Sequence, residues 1–247
     1  MHIDFINDVY TTDGLKLPMV HFESEEKDIC VLCIHGMCGT IIDNYFASVW
    51  GKLLAEKNIG FIYEHNRGHS IENDIVMKDA PIILLGHSYG CNKVIYYYYK
   101  KHPTILGIIL ASAPDMVGIH KKEQNDYKKI LKEAKRNIEN GEPRKLLSTM
   151  IEDYMYMSSQ TYYNWYHENS NLDNLPVLSN FKSWDQFSVI DVPILTFSGS
   201  KEKDEYLHLD LLKEKAISCK NFTYKVIENT GHTYWNKEVE IGNLLYN

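Results

Sequence analysis

Pro81-Ile82-Ile83-Leu84-Leu85-Gly86-His87-Ser88-Tyr89-Gly90-Cys91-Asn92-Lys93-Val94-Ile95-Tyr96 decides how this chain is read. A short apolar run ends in Gly-x-Ser-x-Gly and opens into a helix-period segment, so Ser88 falls on a sharp strand-to-helix turn. Glycines on both sides remove the Cβ atoms that would hold strand and helix apart, and the turn projects the Ser88 hydroxyl outward at the sheet edge. A serine so placed is a candidate nucleophile.

A hydroxyl attacks a carbonyl only when a base takes its proton and a third group orients that base. Downstream, Glu228-Asn229-Thr230-Gly231-His232 directly follows the strand-like run Phe222 to Ile227. A loop there can carry an imidazole over the strand ends, and His232 is the expected base. The preceding strand, Pro193-Ile194-Leu195-Thr196-Phe197, runs into Ser198-Gly199-Ser200-Lys201-Glu202-Lys203-Asp204-Glu205. Asp204, just ahead of a helix-forming segment, is the expected orienting acid; Glu202 is its main competitor and Glu205 a lesser one. A tetrahedral intermediate also needs backbone donors. One is the Tyr89 amide, at the start of a helix whose dipole favours negative charge. The other is the Met37 amide in His35-Gly36-Met37-Cys38-Gly39. His35 and His87 sit beside motif glycines and are read as braces for these loops, and Cys38 and Cys91 as space-filling thiols.

Around this centre, residues 2–10 and 16–23 read as a hairpin turning through Thr12-Asp13-Gly14, and Ile29 to Ile34 as a buried strand. Helical periods near 44–57 and 89–101 alternate with strands at 59–64, 81–86 and 105–111; strands at 193–198 and 222–227 and a helix near 236–245 follow. Such interleaving predicts an α/β architecture, a mostly parallel central sheet with flanking helices. Roughly eighty residues separate the strand ending near Ala111 from the one beginning near Val192, too many for a simple crossover. They predict a helical cap over 115–188 inserted within a single 1–247 domain. Its first helix is expected around Glu123 to Asn140, stopping at Asn140-Gly141. Tyr154, Tyr156, Tyr162, Tyr163, Trp165 and Tyr166 are read mainly as packing between cap and core, some of them lining an acyl or aryl pocket. Tyr96 to Tyr99 are read as structural.

Composition narrows the function classes. Lys and Arg total 26 against 33 Asp and Glu, a formal charge of −7, and no basic cluster is interleaved with aromatics, so nucleic-acid binding is not expected. The start Met1-His2-Ile3-Asp4-Phe5 has no basic, apolar leader pattern, and no stretch approaches the ~20 apolar residues that span a bilayer. The expectation is a cytoplasmic protein without a membrane span. Five cysteines, an odd number, favour free thiols. Cys30 and Cys33 point to opposite faces of one strand, which argues for packing rather than metal or redox chemistry. The histidines are scattered without H-E-x-x-H spacing, so no metal is expected.

His35-Gly36, Gly86-His87-Ser88-Tyr89-Gly90, the carboxylate loop near Asp204 and Gly231-His232, in this order, closely resemble the α/β-hydrolase superfamily over nearly the whole chain. Asn66-Arg67-Gly68-His69, the continuation Gly90 to Val94, Ser112-Ala113-Pro114-Asp115 and Met157 to Tyr162 are similar to capped esterases related to siderophore esterases. The resemblance implies a Ser-acid-His triad, no cofactor, and hydrolysis of an ester, thioester, lactone or amide in a small-molecule acyl substrate. One departure stands out. Only about a dozen residues lie between Arg67-Gly68 and Pro81, the minimum for a parallel crossover. Ile71 to Ala80 therefore gives at most a short helix, leaving a thin sheet flank that a second subunit could cover in a homodimer. Two alternatives stay open: an acyltransferase or cyclising enzyme with the same triad, and a non-catalytic ligand-binding protein on this fold.

Overall fold

A computed structural model describes residues 2–10, 14, 16–23, 29–37, 39–40, 44–64, 81–153, 155–179, 183–202 and 208–247. Strands β1 (His2–Tyr10) and β2 (Lys16–Glu23) pair antiparallel, with Gly14 at φ 85° in their connection. Strand β2 then pairs antiparallel with β4 (Ile59–Glu64). From there the sheet is parallel through β3 (Ile29–Ile34), β5 (Ile82–His87), β6 (Gly107–Ala111), β7 (Ile194–Gly199) and β8 (Phe222–Ile227), giving the order β1-β2-β4-β3-β5-β6-β7-β8. The register aligns the strand exits: Ile34 lies opposite Gly86, His87 opposite Ala111 and Gly199 opposite Ile227. Loops leaving β3, β5, β6, β7 and β8 therefore emerge at one edge, the usual place for a site in an open parallel sheet.

The unbroken apolar runs of the central strands follow from burial on both faces. On one face α1 (Tyr45–Ala55) and α8 (Glu238–Tyr246) enclose Trp50, Leu54, Phe61, Leu85, Phe197 and Ile241. On the other, α2 (Tyr89–Lys101) packs Val94 and Ile95 against Leu32, Ile62, Leu84 and Ile108. Cys30 belongs to the second cluster and Cys33 to the first, both as free thiols. The C-x-x-C spacing is thus split across the sheet, as the strand period requires.

Between β6 and β7 lie α3 (Met116–Glu123), α4 (Tyr127–Glu139), α5 (Ser159–Tyr166) and the single turn α6 (Asp185–Ser188). The helix expected from Glu123 begins only at Tyr127, because Gln124 is extended. A separate α3 precedes it, capped by Asp115, whose carboxylate accepts the Gly118 N–H at 2.8 Å. Helix α4 turns Tyr127, Ile130 and Ala134 inward at helical spacing and leaves its lysines and glutamates to solvent. With Leu147, Ile151, Met157, Tyr162, Trp165 and Tyr166 these residues form a third apolar cluster, which also takes in Tyr89 of α2. Asn66 to His69, Ile71 to Ala80, Thr12, Asp13, Cys38 and Tyr154 lie outside the described residues.

A buried asparagine pair ties this insertion to α2. Asn92 Nδ2 faces the Asn174 side-chain oxygen at 3.0 Å and the carbonyls of Pro114 and Leu172 at 3.2 and 3.3 Å. Asn174 Nδ2 returns a bond to the Asn92 carbonyl at 2.9 Å and reaches Gln186 Oε1 at 3.1 Å. Replacing Asn174 by Leu removes these partners from buried polar groups, a loss of about 1–3 kcal/mol. Urea unfolding of N174L should show a midpoint lowered accordingly.

Candidate active site

The elbow is as tight as the glycines imply. A Cβ on Gly90 would lie 2.0 Å from the Ile34 carbonyl oxygen, so helix α2 can meet β3 only without one. Ser88 caps α2 at φ 55°, ψ −127°, a conformation that non-glycine residues avoid. Its N–H donates to the Ala111 carbonyl at 2.8 Å, and its own carbonyl accepts the Cys91 N–H at 2.9 Å. The backbone is thereby pinned on both sides of the serine. The loop after β3 lies directly against it: a Cβ on Gly36 would sit 2.8 Å from Ser88 Cβ. Met37, next in that loop, and Tyr89, first residue of α2, therefore flank the serine, and the Tyr89 amide is among the helix-start donors without an intrahelical acceptor.

His232 reaches the same edge from the loop after β8. Its Nδ1–H donates to Glu202 Oε2 at 2.8 Å, which leaves Nε2 as the basic nitrogen. His87 Nε2 lies 2.9 Å from the His232 carbonyl; a carbonyl only accepts, so His87 carries its proton on Nε2. The two rings are 5.0 Å apart. His87 thus braces the loop bearing His232, as expected of it, and His35 braces its own loop by donating from Nδ1 to the Gly36 carbonyl at 3.0 Å.

The carboxylate on His232 is Glu202, where the sequence favoured Asp204; Asp204 itself lies outside the described residues. The physical reason is a tight turn at the end of β7, in which the Glu202 N–H donates to the Gly199 carbonyl at 3.0 Å. That turn folds the side chain back so that its Oε1 also accepts the Gly199 N–H at 2.7 Å. Lys201 N–H to the Thr230 carbonyl, at 2.8 Å, laces the turn to the histidine loop. An acid three residues beyond the strand then reaches Nδ1 with the extra methylene of glutamate.

Two residues that spacing did not reveal complete the acid's surroundings. Ser112, after β6, donates to Glu202 Oε1 at 2.6 Å, and the buried Tyr234 hydroxyl donates to Ser112 Oγ. Glu202 is 1 % exposed, yet it accepts from Ser112, Gly199 and His232; a buried carboxylate is tolerable only when so satisfied. The His232 side chain, 36 % exposed, keeps access to solvent. Among the described residues no group of His, Cys, Asp or Glu side chains is arranged to hold a metal, and no helix is long and apolar enough to cross a membrane.

The profile of a family described as protein of unknown function (DUF1749) matches residues 64–218. No curated protein matches the sequence. Solved structures resemble it over their full lengths. Est1E from Butyrivibrio proteoclasticus is 14 % identical, with 99 % of this chain and 96 % of that one covered at a TM-score of 0.61. A soluble variant of monoglyceride lipase from Saccharomyces cerevisiae is 13 % identical, with 98 % and 92 % covered at 0.65. The α/β hydrolase GrgF from Penicillium sp. sh18 is 14 % identical, with 99 % and 97 % covered at 0.67. These likenesses establish the α/β-hydrolase fold.

Burial, and then the neighbouring His232 charge, press the His87 pKa from 6.5 down to about 3. Between those values the unfolded chain binds a proton that the folded chain refuses. Stability is therefore lost as pH falls from 6.5 toward 3, by about 1.4 kcal/mol per unit. Buried His120, lowered to about 4, adds a loss of the same sign. Urea titrations between pH 7 and 5 should show this decline, shallower by about one proton in His87→Gln.

Proposed function

Because the chain belongs to the family described as DUF1749 and carries the α/β-hydrolase fold, we propose that it is a serine hydrolase cleaving an ester or thioester of a small to medium acyl substrate. The observation that carries this reading is the 2.8 Å bond between His232 Nδ1 and the buried Glu202 carboxylate, at the strand edge that presents Ser88. A merely binding protein has no use for an imidazole held in one tautomer at the strand edge that carries a serine on a strained elbow.

In this reading Ser88 Oγ attacks the substrate carbonyl while His232 Nε2 takes its proton, and the Met37 and Tyr89 amides receive the oxyanion. Glu202, in place of Asp204, holds Nδ1–H and stabilises the imidazolium without taking its proton. Collapse of the tetrahedral intermediate breaks the bond to the leaving oxygen or sulfur, which receives the proton from Nε2. Water, deprotonated by the same nitrogen, then attacks the acyl-enzyme and releases the acid and free Ser88. The insertion over 115–188 acts as a cap, with its aromatic cluster beside Tyr89 on the acyl side. The monoglyceride lipase among the structures of similar fold makes ester cleavage the first chemistry to assay.

Incubation with a fluorophosphonate probe should give one covalent adduct by intact mass, absent in Ser88→Ala and slowed in His232→Ala. Turnover of p-nitrophenyl butyrate should fall on the order of 10³–10⁴-fold in Glu202→Gln, as for loss of the orienting carboxylate in other triads. Asp204→Asn should stay near wild type; the opposite pattern would return the acid's role to Asp204. A folded protein with neither adduct nor turnover is a ligand binder instead.

A further inference from the structure

Two consecutive cap residues contact Met37 and Tyr89, the two residues assigned above to the oxyanion. The Trp165 ring lies 4.1 Å from the Tyr89 ring at a tilt of 36°, both fully buried. Among the described residues the buried Tyr89 hydroxyl has no hydrogen-bond partner, so packing against Trp165 holds that side chain. The next residue, Tyr166, donates its hydroxyl to Met37 Sδ at 3.7 Å. Methionine has three rotatable bonds and a soft sulfur, so its placement depends on what it touches. Tyr166 supplies a fixed contact because it is itself held on two sides. Its ring stacks on His120 at 3.8 Å and 22°, and its carbonyl accepts the Tyr127 hydroxyl at 2.7 Å.

We propose that Trp165 and Tyr166 are positioning residues for the oxyanion hole, so that the cap is a working part of the catalytic apparatus and not only a cover. The inference rests on the serine-hydrolase reading above. Through Tyr89 the cap steadies the first turn of α2, and through Met37 it steadies the loop after β3. Both amides then point to one place before substrate arrives, where preorganised donors act most strongly. Neither cap residue touches the reacting atoms in this scheme.

The discriminating variant is Tyr166→Phe, which keeps the ring and its stacking and removes only the hydroxyl. Oxyanion-hole donors, when deleted, cost 10²–10³-fold in kcat, so loosening one should cost about tenfold. The expected result for p-nitrophenyl butyrate is that loss in kcat with KM little changed and the thermal midpoint unmoved. Phenylboronic acid, which forms a tetrahedral adduct on an activated serine, should bind weaker by the same factor. On a Met37→Leu background, where the sulfur acceptor is gone, Tyr166→Phe should have little further effect, since coupled residues are non-additive. Trp165→Leu should show the same loss in kcat, with recovery in Trp165→Phe, which restores a ring against Tyr89. Unchanged kcat in Tyr166→Phe, a loss carried in KM, or an equal loss in both Met37 backgrounds would overturn the proposal. Absence of a Ser88 adduct in the wild-type protein would remove the hydrolase reading and this inference with it, an outcome distinct from a labelled, active enzyme indifferent to Tyr166.

Discussion

The constraint on which the site depends is the backbone of Ser88, held at positive φ where only glycine is at ease. A non-glycine residue in such a region costs of the order of 1–3 kcal/mol and persists only when its surroundings over-determine it. Here they do: bonds to Ala111 and from Cys91 fix the peptide groups around the serine, and the close approach at Gly90 locks α2 against β3. Ser112 and Tyr234 share the positive φ, and these are the two residues whose hydroxyls stand behind Glu202. At Ser88, Ser112 and Tyr234 this backbone aims side chains toward the site, while the sheet beneath uses ordinary strand geometry.

A second constraint is electrostatic. Three imidazoles, those of His35, His87 and His232, crowd one strand edge beside a buried carboxylate. Burial keeps His87 neutral, and both His35 and His87 spend a ring N–H on a backbone carbonyl. Only His232 both faces an acid and retains exposure. In the proposed mechanism this arrangement singles out His232 as the base among three chemically identical candidates by differences in solvation and hydrogen bonding.

Legibility in the sequence followed how local each determinant is. Ser88 and His232 stood out as candidates because an elbow and a strand-exit loop impose short patterns on their own neighbours. The eight strands were legible for the same reason, their apolar runs being bounded by turn residues. Which carboxylate of the loop after β7 meets His232 stayed open between Asp204 and Glu202, since it depends on how tightly the chain turns after Gly199, whose carbonyl accepts the Glu202 N–H. Ser112 and Tyr234 meet across 122 positions, and no periodicity marks two hydroxyls that face each other only in three dimensions. Helix α3 was missed although Asp115 is an ordinary capping residue, because its polar run blends into that of α4. The thin flank inferred from Ile71 to Ala80 falls outside the described residues.

The link between Asn92 and Asn174, 82 positions apart, has a consequence for biosynthesis. Helix α2 leaves the ribosome before the insertion does, and the buried amide at its first turn finds its partner only once α3, α4 and α5 have been made. Glu202 and His232 arrive later still. A nascent chain therefore carries Ser88 on its turn before Glu202 and His232 have been made. Closing such distant contacts is entropically slow, which delays assembly of the strand-edge site until the surrounding domain has been made.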